Sequence, residues 1–414
     1  MSKKHNSSIN KNSTILFVTF SPWVKGKRLP INGSLEPLRD FLVPRTRKLV
    51  LVDQAYPGSD RVLYRIEEYS TDEKYVYKIK KPSILSALLV PFLKLSNQPG
   101  TRIIFKIRDY FSVLDVCLRL GNKFDYFIGL ECINTMAAIF MKRIGRVKKV
   151  VYYVSDYSPN RFDNKWFNEI YLWMDRFCAV NSDFIWDVSP AMQKARIKAG
   201  LEPKKSAPVI DMSNGLLPEQ IKTVPKSRIK PYSVAYMGTL GSENGPDLLI
   251  ESVKELSDKY KNINLHFIGG FAEDIKRLKK LCLKLEIMNK VTFYGFIEKS
   301  EDMSKILRYL YIGVAPYRYI PGSIRLYADA GKIRAYCAAG LPVISTHVPP
   351  LGIQARQKGA AIIVKDNVLD LAGAIDKLFS DESMYNKLRL GAIKFAKGST
   401  WENKFSQAFL NMKS

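Results

Sequence analysis

The chain has 414 residues, 46% hydrophobic and 12% aromatic, enough to fill more than one core and too apolar for a disordered protein. Its formal charge of +26, spread along the chain, points to an anionic partner such as nucleic acid, a membrane surface or a phosphorylated substrate. Five scattered cysteines without a CxxC pair exclude a disulfide framework and a zinc site, and fit a reducing compartment; three histidines are too few for catalysis built on several.

Residues 1–12 read as a disordered polar tail, without the apolar core of a signal peptide. Continuous apolar runs then predict strands at Thr14–Phe20, Lys48–Asp53, Tyr75–Ile79, Tyr126–Leu130 and Val150–Ser155, alternating with helical stretches. Within this half, Ser83–Ser96 is apolar but too short to span a bilayer. Flanked by Lys80, Lys81 and Lys94, it suits either a membrane interface or a core helix. Residues 213–232, polar and broken by prolines, read as a linker. Beyond them strands are predicted at Ser233–Gly238, Asn264–Gly270, Val291–Phe296, Ile312–Tyr317, Pro342–Thr346 and Ala360–Val364. The alternation implies an α/β protein with two Rossmann-like domains, over 13–212 and 233–395, whose parallel sheets face each other across a cleft.

Three stretches carry most of the chemistry. In "YADAGKIRAYCAAGLPVIST", Tyr327–Thr346, the residues Ile333, Tyr336 and Cys337 give a short helix one apolar face, Gly340 stands where the helix must end and Pro342 prevents continuation. Asp329 occupies an N-cap position, while Lys332 adds a cation to a helix start suited to phosphate; capping and ligand binding are both open readings. In "VAYMGTLGSENGPDLLIES", Val234–Ser252, a strand ends in Gly238 and a loop holds Gly241 and Gly245. Such a loop is either an ordinary turn or a backbone cradle for a diphosphate. In the first half, Gly33-Ser34 follows the first strand, and Glu131 and Asp156 stand at strand carboxyl ends, where each can position an acceptor hydroxyl or cap a helix. Asp183, Asp187, His266 and His347 read as structural.

Taken with "SNGLLPEQ", "LHFIGG", "VTFYGFIE", "VAPY" and "TWENKF", these stretches resemble the nucleotide-sugar domain of a GT-B glycosyltransferase and are most similar to glycosyltransferase family 4, over residues 213 to 405. The resemblance implies a retaining transferase moving a sugar from a nucleotide diphosphate sugar to a glycan or lipid-linked acceptor. The cysteine usage and polar start imply a cytoplasmic location, and the basic first domain with Ser83–Ser96 implies the inner face of the cell membrane. The resemblance further implies donor contacts at Gly238 and Thr239 for the diphosphate, Phe296 and Ile297 for the base, Asp329 for the ribose, and Pro316, Arg325, Lys332 and Ile333 beside them. Lys332, Glu131 and Asp156 would carry catalysis, Gly33 and Ser34 would form a phosphate loop, and a final helix over 396–414 would return to the first domain. The chain has no D-x-D triplet, so neither a metal nor another cofactor is expected, and no nucleic-acid motif accompanies the charge, whereas contact with an anionic membrane is expected. Thr239 and Asn244 stand where many members carry Arg and Lys, and Tyr327 and Ala335 where two glutamates are familiar. These departures keep two alternatives open: a non-catalytic GT-B-like subunit and a sugar-nucleotide epimerase.

Overall fold

The computed structural model describes residues 9–29, 33–61, 63–70, 76–80, 102–121 and 123–412. The segment 83–96 and Tyr75 lie outside them. The chain divides into two compact units, residues 1–213 with 401–414, and residues 214–400.

The first unit holds β1 (Thr14–Ser21), β2 (Lys48–Ala55), β3 (Arg65–Ser70), β4 (Val76–Lys80), β5 (Phe124–Leu130), β6 (Val147–Val154), β7 (Phe184–Asp187) and β8 (Val209–Asp211) in the order β8-β7-β6-β5-β1-β2-β3-β4. Its helices are α1 (Leu35–Leu42), α2 (Arg102–Arg119), α3 (Glu131–Arg143), α4 (Lys165–Asn181) and α5 (Pro190–Lys198). The strands from β8 to β2 run parallel, but β3 and β4 add an antiparallel edge to the expected parallel sheet. The sequence "RIEEYS" hides β3 because two acids interrupt its apolar pattern. In the fold the Glu67 carboxylate is buried and accepts from Arg28 at 3.0 Å, so a charge sits in a strand without being unpaired. Asn164 caps α4 by accepting from the Phe167 N–H at 3.1 Å, and Ser189 followed by Pro190 starts α5.

The second unit holds β9 (Ser233–Met237), β10 (Asn264–Ile268), β11 (Val291–Gly295), β12 (Ile312–Ala315), β13 (Val343–Thr346) and β14 (Ala361–Val364), all parallel, in the order β11-β10-β9-β12-β13-β14. Helices α6 (Pro246–Leu256), α7 (Ala272–Lys284), α8 (Ser300–Leu307), α9 (Gly331–Ala338), α10 (Pro350–Gln357), α11 (Val368–Ser380) and α12 (Glu382–Gly398) accompany it. Counting from β9, the order is the doubly wound 3-2-1-4-5-6 of dinucleotide-binding folds.

Three boundaries differ from the sequence reading. Residues 214–232 do not form a free linker: Val224 and Ile229 are buried in the second unit, Leu216 bridges to Thr400, and Arg389 donates to the Val224 carbonyl at 2.6 Å. Apolar residues spaced between the prolines make this segment a strap. Residues 9–12 belong to the fold, with Ile9 buried and the Ser13 N–H bonded to the Asn10 carbonyl at 2.8 Å. The last helix, α13 (Trp401–Asn411), begins after α12 has run to Gly398, and it packs on the first unit. Phe405 and Phe409 set their rings 5.3 and 6.0 Å from Phe41, and Phe409 meets Trp186 edge-on at 5.3 Å.

Candidate functional site

In the second unit the strand order reverses between β9 and β12, so the loops at their carboxyl ends turn opposite ways and leave a crevice. Gly238 follows β9 with φ 114, a region that L side chains rarely adopt. A Cβ placed on it would lie 3.5 Å from Cε and 3.7 Å from Nζ of Lys332, so the lysine tip rests against this backbone. Helix α9 delivers the lysine there. Tyr336 fastens the helix across the reversal point, its hydroxyl accepting from the Met237 N–H at 2.7 Å and donating to the Val314 carbonyl at 3.1 Å. Gly340, at φ 77, ends the helix as expected, with the Leu341 N–H reaching back to the Tyr336 carbonyl at 2.9 Å.

Lys332 is 8% exposed, and its ammonium has no hydrogen-bond partner among the described residues. It lies 4.1 Å from the Tyr236 ring centroid and 4.6 Å from that of Tyr317, faces that offset part of the cost of burying a charge. Burial, with a smaller contribution from the positive charge of Arg325, lowers its pKa from 10.5 to about 7. A lysine with only a structural task reaches solvent or a carboxylate. This one is held near its titration point beside the half-buried Gly238 turn, an arrangement that an anionic ligand would complete.

The neighbours sort into two groups. Arg325 pairs with Glu243 at 3.2 Å, and its Nε has no partner among the described residues. Thr239 is exposed, and its Oγ1 accepts from Asn244 at 2.9 Å, so the two positions that lack the expected cations bond to each other. Phe296 is exposed and lies nearly parallel to Phe271, their centroids 6.3 Å apart, while Ile297 packs against the core. The other positions are internal. Asp329 is not the N-cap of α9, a place taken by Ala330; its buried carboxylate accepts from the Asn214 N–H at 2.8 Å and from Arg334 at 2.7 Å. Both oxygens are thus engaged, and Asp329 orients Arg334, whose Nε and Nη1 are buried without partners among the described residues. The Ile333 side chain is fully buried in the core, and its N–H bonds to the Ala330 carbonyl at 3.0 Å. Pro316 is buried, its carbonyl facing Gly245.

Gly245 is the tightest contact at the crevice. At φ 71, a Cβ there would come within 1.8 Å of the Pro316 oxygen. Gly245→Ala should therefore cost about 1–3 kcal/mol and displace the end of β12. A lowered melting temperature with weakened nucleotide affinity is the expected result; unchanged melting would show the loop yields freely.

In the first unit the corresponding reversal lies between β1 and β5. Glu131 leaves β5 and opens α3 with φ 65, a strained conformation for a non-glycine residue, of the kind that costs about 1–3 kcal/mol. One carboxylate oxygen accepts from both the N–H and the hydroxyl of Ser155, at 3.1 and 2.7 Å. Burial raises its pKa, opposed by the positive charge of Arg161 and by Ser155. Arg161 also contacts Asp156, at 3.1 Å to the side chain and 2.6 Å to the carbonyl, and lies 5.3 Å from the Tyr171 ring centroid. Glu131 and Asp156 thus belong to one cluster. Gly33 and Ser34 stand apart at the start of α1: Gly33 is exposed, while Ser34 is buried with its carbonyl accepting from Leu38 at 2.9 Å. His266 is buried with a ring nitrogen 3.1 Å from the Tyr294 hydroxyl, and burial lowers its pKa to about 4.

Sequence reasoning missed Tyr236, Tyr317, Arg334, Ser155, Arg161 and Phe271. The available signal was adjacency: the two tyrosines lie within two residues of Gly238 and Pro316 at strand ends. The strain at Glu131 has no sequence signature.

Residues 219–395 match the family model of glycosyl transferases group 1. No curated protein matches the chain by sequence. Among solved structures, HepE of Anabaena in complex with UDP is similar over 97% of this chain and 99% of its own, with TM-score 0.65 and 16% identity. Sucrose-phosphate synthase of Thermosynechococcus elongatus gives TM-score 0.65 and 13% identity over 97% of this chain and 98% of its own. The lipopolysaccharide outer core galactosyltransferase WaaB gives 0.59 and 14% over 97% and 100%. The chain therefore has the two-domain GT-B fold of these structures, and residues 219–395, within its second domain, match the model of the group 1 glycosyl transferases.

Proposed function

We propose that the protein is a retaining, metal-independent glycosyltransferase that moves a sugar from a nucleoside diphosphate sugar to a glycan or lipid-linked acceptor, on the cytoplasmic side of an anionic membrane. The observation that carries this reading is the buried, unpartnered Lys332 ammonium beside Gly238. The diphosphate of the donor lies against the Gly238–Thr239 turn, where Lys332 and Arg325 counter its charge. As the glycosidic bond to the nucleotide breaks, negative charge grows on the leaving diphosphate, and Lys332 stabilises it without help from a metal. Phe296 and Phe271 offer aromatic faces to the base. Glu131, with a raised pKa and fixed by Ser155, positions the acceptor hydroxyl, and Arg161 keeps Asp156 in place beside it. HepE, solved with UDP and with UDP-glucose, makes uridine the first base to test.

The test is thermal stability against UDP, GDP, ADP and TDP in the presence of EDTA. One of them at a hundred times its dissociation constant should stabilise by about 2.7 kcal/mol, and failure of all four would remove the donor site. Glu131→Gln keeps the shape and loses the charge. It should leave nucleotide binding intact and slow transfer by about a hundredfold. Full transfer by this variant would take Glu131 out of the reaction.

A further inference from the structure

The outer faces of α2, α3 and α4 are apolar where a surface helix is ordinarily polar. These helices lie side by side on one face of the first sheet, with α3 in the middle. Helix α4 already spends Tyr171, Leu172, Cys178 and Ala179 on the core, yet its other face exposes Trp166 (76%), Ile170, Trp173 (53%) and Val180. Among the exposed residues of α4 only Lys165 and Glu169 are charged, whereas a surface helix ordinarily turns a polar face outward. The neighbours continue the pattern: α3 exposes Phe140 and its end exposes Ile144, while α2 exposes Ile107, Phe111 and Leu118. Trp173 stacks on Phe177 at 5.9 Å, and Arg143 at the end of α3 lies 5.7 Å from the Phe177 ring, so the stripes of α3 and α4 join. Isolated exposed apolar residues need no explanation, but a contiguous field with two tryptophans does.

We propose that this three-helix face docks on a lipid bilayer carrying anionic headgroups. The charges around it fit. Lys106, Arg143 and Lys165 are exposed at its margins, whereas Asp109 and Asp175 on the same helices are buried, and Asp115 is paired with Arg119 at 2.9 Å. Glu169 is the one exposed acid on the described parts of α2, α3 and α4. Tryptophan with lysine and arginine is the composition of a membrane–water interface, where rings enter the headgroup layer and cations meet its surface potential. A second copy of this chain would bring another basic chain of net charge +26, and its own exposed Lys106, Arg143 and Lys165, against these cations, which disfavours self-association and favours an anionic surface. The aromatic end of the field adjoins the cluster named above: Arg161 and Trp166 are five residues apart, across the start of α4. An acceptor held in the bilayer by a lipid would reach Glu131 from that side. This last point rests on the proposed function; the docking itself does not.

The test uses the full chain without any sugar nucleotide, so its outcome is separate from that of the donor site. Vesicles of phosphatidylcholine alone and of phosphatidylcholine with phosphatidylglycerol are sedimented with wild type and with Trp166→Ser/Trp173→Ser. Wild type should sediment with the anionic vesicles, and acyl-chain-brominated lipid should quench its tryptophan emission. The double variant should bind at least about tenfold more weakly. Its melting temperature and far-UV circular dichroism without ligand should match those of wild type, which certifies its fold. The quenching of wild type is informative even if the variant fails to fold. Three results overturn the proposal: absence of wild-type binding and quenching, vesicle binding by a folded double variant equal to wild type, which would place attachment elsewhere, or a wild-type dimer in solution that the substitutions convert to monomer.

Discussion

Lys332→Met should abolish useful donor binding while leaving the fold intact. The methionine keeps the contacts of the lysine stem and removes an ammonium that is buried without a partner, so the melting temperature without ligand should hold or rise. Losing a charge-assisted contact to the diphosphate should weaken nucleotide affinity by about a hundredfold, and transfer should fall further because charge on the leaving group peaks in the transition state. Isothermal titration and initial rates measure the two effects separately. A variant that binds like wild type would make Lys332 an oddly buried packing residue.

The largest stability effect lies elsewhere, at Arg196. Its side chain is fully buried and donates to Asp175 at 2.9 Å and to Asp187 at 2.6 Å, joining α4, α5 and β7, with Tyr152 completing the shell of Asp175 at 2.7 Å. Burial raises the pKa of Asp187, and the guanidinium is what opposes it. Arg196→Leu leaves two carboxylates in the core without their cation, which should cost about 3–5 kcal/mol. Thermal melting of the first unit should fall on the order of 10 °C. The loss should be smaller at pH 5 than at pH 8, because a buried carboxylate stripped of its cation takes up a proton. Equal melting at both pH values, or a shift within error of wild type, would show that water reaches these acids.

The sequence made the strands legible where they are buried on both faces, because nothing but apolar residues fits there. It concealed β3, whose Glu67 is compensated by Arg28, a partner far away in sequence. It also concealed β7 and β8, which are short. Segment 214–232 looked like a linker because prolines and lysines break up its apolar residues, yet Leu216, Val224 and Ile229 suffice to hold it down. In the site, Gly238 and Lys332 were legible because a strand-terminal glycine and a cation at a helix start are local features. Of the two open readings of Asp329, capping fails because its partner Arg334 lies further along the same helix and Ala330 takes the cap position. Tyr236 and Tyr317 could not be read as flanking Lys332, because only folding brings their rings together.

The most direct test is calorimetric titration of the stabilising nucleotide at pH 8 in two buffers with different ionisation heats. Lys332, with its pKa lowered to about 7, is mostly neutral there, and a bound diphosphate would draw a proton onto it. Binding should therefore take up a sizeable fraction of a proton, and affinity should weaken as pH rises through 7 toward 9. Both effects should vanish in Lys332→Met. Tight binding without proton uptake, equally strong at pH 6 and pH 9, would contradict the placement of the diphosphate at Lys332.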